Sequence, residues 1–141
     1  MLARLPRAFQ PRLRRDQLLD LGLVHNQNLD AIATGQAEPS LIYDYIGGVL
    51  TWWRVANALQ AGVPEMAQQL ELATRLAERL ARCGRVLFNG PDLQLARDGV
   101  TVMDQLAEIV DRPTAMLAAE WSEREVHRIE QAARKIRSAA A

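Results

Sequence analysis

A single cysteine, Cys83, is the entire thiol content of this chain of 141 residues. No intramolecular disulfide can form, and a reducing cytoplasm is the natural setting. Cys83 itself reads as a small core residue. Histidine occurs only twice, at His25 and His127, and neither sits in a motif with a nucleophile or in the Asp/Glu-x-x-His spacing of helical di-metal sites. Glycine-rich phosphate loops are missing too, because Gly47-Gly48 and Asn89-Gly90-Pro91 fit neither glycine fingerprint. These absences lead us to expect no enzyme, no cofactor, no metal site and no small-molecule substrate.

A membrane span is equally hard to find. The stretch Leu41 to Leu59 is long enough for one, but it contains Asp44 and Arg54, each of which costs about 2.5–3.5 kcal/mol near a membrane centre. Residues 1–15 lack the uninterrupted apolar run and small-residue cleavage site of a secretory signal. We therefore expect a soluble, cytoplasmic protein. Lysine is nearly absent: of 17 basic residues only Lys135 is not arginine. That bias, with abundant alanine, points to the coding habits of a high-GC bacterium or one of its phages.

What is present is globular in character. Hydrophobic residues make up 49% and charged residues 24%, far from the signature of disorder, and the length suits one domain with its own core. The net charge is zero, yet unevenly spread. Residues 1–15 carry Arg4, Arg7, Arg12, Arg14 and Arg15 and no acid. Residues 16–121 are net acidic, and the last twenty residues are basic again, with Arg124, Arg128, Arg134, Lys135 and Arg137. With Pro6 and Pro11 in it, the first segment reads as an extended basic arm, residues 1–15, leading into a helical domain, residues 16–141.

The residues from Asp16 to Thr34 have helical periodicity, with Asp16 as a cap and Gly35 as a stop. Leu18, Leu21, Val24, Leu29 and Ile32 share one face, and His25 and Asn28 fall in the middle of it, which reads as a hydrogen-bonded polar pair inside the core. An alternative lets Gly22 break this helix. The segment then resembles a helix-turn-helix with His25, Asn26, Gln27 and Asn28 opening a recognition helix, where amides can pair with adenine edges.

The next helix is the organising one. From Ser40, its expected N-cap, to Leu59 it contains both tyrosines and two of the three tryptophans. At about 100° per residue, Leu41, Ile42, Tyr43, Tyr45, Ile46, Val49, Leu50, Trp52, Trp53, Ala56 and Leu59 cover an arc of roughly 200°. One buried face does not need so wide an arc, so the helix is either enclosed by neighbours or offers a second apolar surface. Gly47-Gly48 in its interior marks a close approach or a bend. Gly62 is the expected stop, followed by a helix from Pro64 to Cys83. A connection with an Asn89-Gly90 turn leads to a helix from Pro91 to about Asp111. Pro113 begins a short helix to Glu120. Ser122-Glu123-Arg124-Glu125 reads as a capping box, with Trp121 and Val126 as its hydrophobic staple. That predicts a break at Trp121-Ser122 and a final helix to about Arg137, with the terminal Ser-Ala-Ala-Ala fraying.

The expected fold is thus all-α, an irregular bundle of about five or six helices in a single domain with a basic N-terminal arm. In its Arg- and Ala-rich composition the chain is similar to small all-helical accessory proteins of proteobacterial phages and mobile elements. No family motif matches residue by residue, so this resemblance implies only a small protein that binds another macromolecule. The leading expectation is a non-catalytic protein-interaction module, an adaptor or inhibitor, that binds another protein and also itself as a homodimer. Its interface would be Tyr43, Tyr45, Trp52 and Trp53, because aromatic side chains carry interface energy. The competing expectation is nucleic-acid binding through Arg4, Arg7, Arg12, Arg14, Arg15, Arg124, Arg128, Arg134 and Arg137.

Overall fold

In a computed structural model the described residues are Leu13, Gln17, His25 and the continuous run 27–140. The basic arm with Arg4, Arg7, Arg12, Arg14 and Arg15, the expected cap Asp16 and the possible breaker Gly22 lie outside them. The described residues are all-helical: residues 27–33 (α1), Pro39–Leu59 (α2), Val63–Cys83 (α3), Gly90–Ile109 (α4) and Arg112–Ala140 (α5). None of these helices is long and apolar enough to cross a membrane.

Each boundary has a local cause. After α1, Gly35 adopts φ +73°, and the amides of Gly35 and Gln36 bond to the carbonyls of Ile32 and Ala31, as at a glycine-terminated helix end. Ser40 is not the cap of α2. Glu38 holds the extended cap conformation and Pro39 takes the first helical turn, where its missing N–H costs nothing. At the other end Gln60, not Gly62, takes the left-handed turn, with its side-chain amide donating to the carbonyl of Asn57 at 2.6 Å. Gly62 instead opens α3, also left-handed, and Gly84 closes it. Asn89 caps α4 by accepting from the amide of Asp92 at 2.8 Å.

The predicted break in the last helix is absent: α5 runs without interruption through Trp121 and Ser122 to Ala140. Its N-terminal device is Asp111, fully buried, whose carboxylate accepts from the amide of Thr114 at 3.0 Å and from the Thr114 hydroxyl. With the helix already started there, Ser122 is an interior serine that bonds back to the carbonyl of Ala119 at 2.9 Å. Glu125 pairs with Arg128 rather than reaching back to a cap.

The centre of the fold is α2, which packs against α3, α4 and α5. Ile42, Val49, Val55 and Ala56 are fully enclosed, as are Met66, Leu72 and Leu80 of α3 and Leu29 and Ile32 of α1. Burying each such Leu, Ile, Val or Met side chain contributes roughly 1.5–3 kcal/mol before its entropy cost. The connection between α3 and α4 is extended and alternates: Val86 and Phe88 turn inward while Leu87 points outward. Phe88 meets Tyr45 edge to face, ring centres 5.8 Å apart. Where α3 meets α4, the buried Gln69 donates to the carbonyl of Leu95 at 2.9 Å and fills the space that a side chain on Gly99 would need. Cys83, expected inside, is exposed in the last turn of α3, facing away from the stripe that ends with Leu80 and Ala81.

Candidate functional site

The wide apolar arc of α2 finds most of its partners inside the chain. Tyr43, Tyr45 and Trp52 are buried, so three of the four residues expected to face a partner belong to the core. Enclosure by His25, the 85–89 connection and α5 is the physical reason: each covers a sector of the helix that periodicity alone leaves open. Burial pushes the Tyr45 phenol well above its ordinary value. Burial also raises that of Tyr43, with Arg137 opposing, Glu130 reinforcing and Arg134 opposing. Neither phenol oxygen has a hydrogen-bond partner among the described residues.

Only Trp53 keeps part of its surface, and α5 determines what that surface becomes. The two helices meet at a tight seam. A side-chain carbon added to Gly47 would lie 3.3 Å from a methyl of Val126, so the absent side chain sets how closely α5 approaches. Beside it the hydroxyls of Thr51 and Ser122 lie 2.7 Å apart, and each also reaches a carbonyl of its own helix, Gly47 at 2.8 Å and Ala119 at 2.9 Å. Each hydroxyl carries one proton, so one donates across the seam while the other bonds its own helix.

On one side of this seam Trp121 lies against Trp53, ring centres 5.8 Å apart and planes 32° apart, and the Arg54 guanidinium sits 4.8 Å from the Trp121 ring centre. Such stacking and cation–π contacts each contribute about 0.5–1.5 kcal/mol. Arg54 and Trp121, together with Ala58, Thr114, Leu117, Ala118 and Arg124, line a groove of about 340 Å³. Leu117 is 59% exposed.

The opposite side is chemically different. A cleft of about 400 Å³ runs between Leu13, His25, Asn28, Asp44, Gly48, Trp52 and Met116, and Met116 is 56% exposed. Further along, a second cleft of about 330 Å³ is lined by Tyr43, Asp44, Glu123, His127 and Glu130. His25 and Asn28 do not form the hydrogen-bonded pair expected from sequence. His25 stands edge-on to Trp52 at 6.5 Å, and its Nδ1 is buried without a partner among the described residues. Burial lowers its pKa from the usual histidine value, against an upward pull from Asp104. Burial in turn raises the Asp104 carboxyl, with His25 opposing and Glu108 reinforcing. Asn28 is buried, which removes it from the exposed recognition surface that a helix-turn-helix requires. Among the described residues, no three His, Cys, Asp or Glu side chains are placed to hold a metal ion.

The C-terminal arginines do not form one basic face. Arg124 borders the tryptophan groove, Arg128 pairs with Glu125 at 3.2 Å, and Arg134 and Arg137 turn toward Pro39 and Tyr43 beside Glu130. Trp121 and Leu117 are the residues that sequence reasoning missed. Treating α5 as broken at Trp121 concealed that Leu117, Trp121 and Arg124 recur at spacings of four and three, on one face. No known protein family matches the chain, and no curated protein or solved structure is similar to it.

Proposed function

We propose that this protein is a non-catalytic protein-interaction module, an adaptor or inhibitor, whose partner docks on the seam between α2 and α5. The observation that carries this reading is the exposure of Leu117 beside a tryptophan pair that an arginine caps. Large apolar side chains next to tryptophan and arginine are the composition of interface hot spots. Met116, exposed on the other side of the same helix, gives the module a second apolar contact through which self-association can proceed.

The test is affinity capture from the source cells with the full chain, beside light scattering of the purified protein. A partner retained by the parent and by Ile136→Asp, but lost on Leu117→Asp, supports the reading. Binding indifferent to Leu117→Asp and Trp53→Ala ends it. A mass that stays monomeric at high micromolar concentration ends the self-association part alone.

Nucleic-acid binding is the competing proposal, resting on exposed Arg124, Arg128, Arg134 and Arg137. Their dispersal over different sides of α5 disfavours it, since a phosphate track needs charges in a row. It predicts affinity for duplex or single strand that falls steeply with salt and weakens when residues 1–15 are removed.

A further inference from the structure

Resting on the reading of the α2–α5 seam as a protein-docking surface, we infer that the groove between Arg54 and Arg124 accepts an acidic, leucine-bearing peptide segment of another protein. Its floor is mostly apolar, formed by Ala58, Leu117, Ala118 and Trp121 with Thr114 beside them, and among the described residues the two charged groups that line it are both arginines. Neither makes an ion pair among the described residues, whereas Arg75 and Arg79 share Asp92, Arg97 meets Asp30 and Arg128 meets Glu125. Two guanidiniums that meet no carboxylate among the described residues, over a mostly apolar floor, match a bulky apolar side chain with carboxylates beside it.

The same charges exclude other occupants. Residues 1–15 of this chain hold five arginines and no acid, so the chain's own arm brings the wrong sign. A second copy docked groove to groove about a two-fold axis would bring the same two arginines, and no acid among the described lining residues, to meet Arg54 and Arg124. A stacked nucleobase needs a free aromatic face, and the Trp121 ring already has Trp53 and the Arg54 guanidinium against it. At about 340 Å³ the groove is near the lower end of ligand pockets, which run to roughly 300–1,000 Å³. It therefore suits one or two side chains of a segment rather than a large cofactor.

The probes are capped twelve-residue peptides measured by titration calorimetry against the full chain: one of leucine and glutamate, one of leucine and lysine, one of glycine and glutamate, and an oligothymidylate of equal length. The leucine–glutamate peptide should bind about tenfold or more tightly than the other three. Arg54→Gln with Arg124→Gln should weaken it by about tenfold, and Leu117→Ala severalfold. Arg79→Gln, whose charge already pairs with Asp92, should leave it unchanged, and circular dichroism should show all variants equally helical. The inference is overturned if the leucine–glutamate peptide fails to bind, if the double arginine variant binds it as tightly as the parent, or if the lysine peptide or the oligonucleotide binds better. A natural partner that is lost on Leu117→Asp yet kept by the double arginine variant leaves the docking surface standing and removes acid recognition.

Discussion

The two sides of the α5 seam are built from the same pair of helices and differ in almost every chemical respect. On one, Leu117, Trp121 and Arg124 of α5 face Trp53 and Arg54 of α2, an aromatic and cationic surface with no acid among its described lining residues. On the other, Glu123, His127 and Glu130 face Tyr43 and Asp44, with His25 in the adjoining cleft. A helix pressed onto a neighbour along one stripe necessarily exposes two flanks, and residues a turn apart on each flank make one continuous strip. One contact line has therefore produced a basic groove and an acid- and histidine-lined one a helix width apart. What separates them is the seam itself, where Gly47 lets α5 sit close and Thr51 bonds Ser122.

The most severe way to break this arrangement is to wedge the seam. Gly47→Leu would drive a side chain into Val126, and overpacking of this kind costs about 1–3 kcal/mol. We expect a loss near the upper end in urea denaturation, with both flanks disturbed together. If instead the variant is as stable as the parent, the close approach does not hold the two helices.

The basic flank can be perturbed by itself. In a double-mutant cycle, Trp53→Ala and Trp121→Ala should show a coupling of about 1 kcal/mol, and neither change should alter the acid-lined side. Purely additive losses would mean that the two rings merely share a location.

The opposite flank should declare itself through pH. Burial lowers the His25 pKa in the folded chain, so the unfolded chain takes up its proton first as pH falls. The stabilisation from a neutral His25 is complete above its unfolded value, about 6.5, and is lost as pH drops from there through the folded value. Stability measured between pH 8 and pH 5 should therefore decline, and His25→Phe should flatten that decline while leaving the Trp53–Trp121 coupling intact. An unchanged slope in that variant would show that another group is responsible.

The smallest effect is expected away from both flanks. Arg128 is paired with Glu125, but its side chain is 75% exposed. An exposed i,i+3 pair contributes about 0.5 kcal/mol or less, so thermal melting of Arg128→Ala should barely differ from the parent. A larger loss would mean that this side of α5 is covered in solution.

Much of the helical plan was legible because its signals are local. Pro64 in the first turn of α3, Gly35 at the end of α1, and Asn89-Gly90 before Pro91 act within a few residues of themselves. Inner stripes such as Met66, Ala73 and Leu80 appear at the spacing that burial demands. Local signals also misled. The capping box at Ser122 is a valid start signal, but Asp111 had already started the helix eleven residues earlier, and Ser122 was free to bond across to Thr51. Cys83 was assigned by residue type to a core that its position in the last turn of α3 does not face.

The sequence by itself determined that the fold is all-α, that α2 is its centre and that Gly47-Gly48 marks either a close approach or a bend, since periodicity, capping and glycine placement are short-range properties. Which sectors of the wide α2 arc are enclosed was decided only by tertiary packing. Tyr43, Tyr45 and Trp52 became core because α5, the 85–89 connection and His25 happen to close over them. Trp53 is only half-buried, and its cover is a tryptophan 68 positions along the chain. An amphipathic pattern states which side chains avoid water, but only the placement of distant helices states which of them succeed.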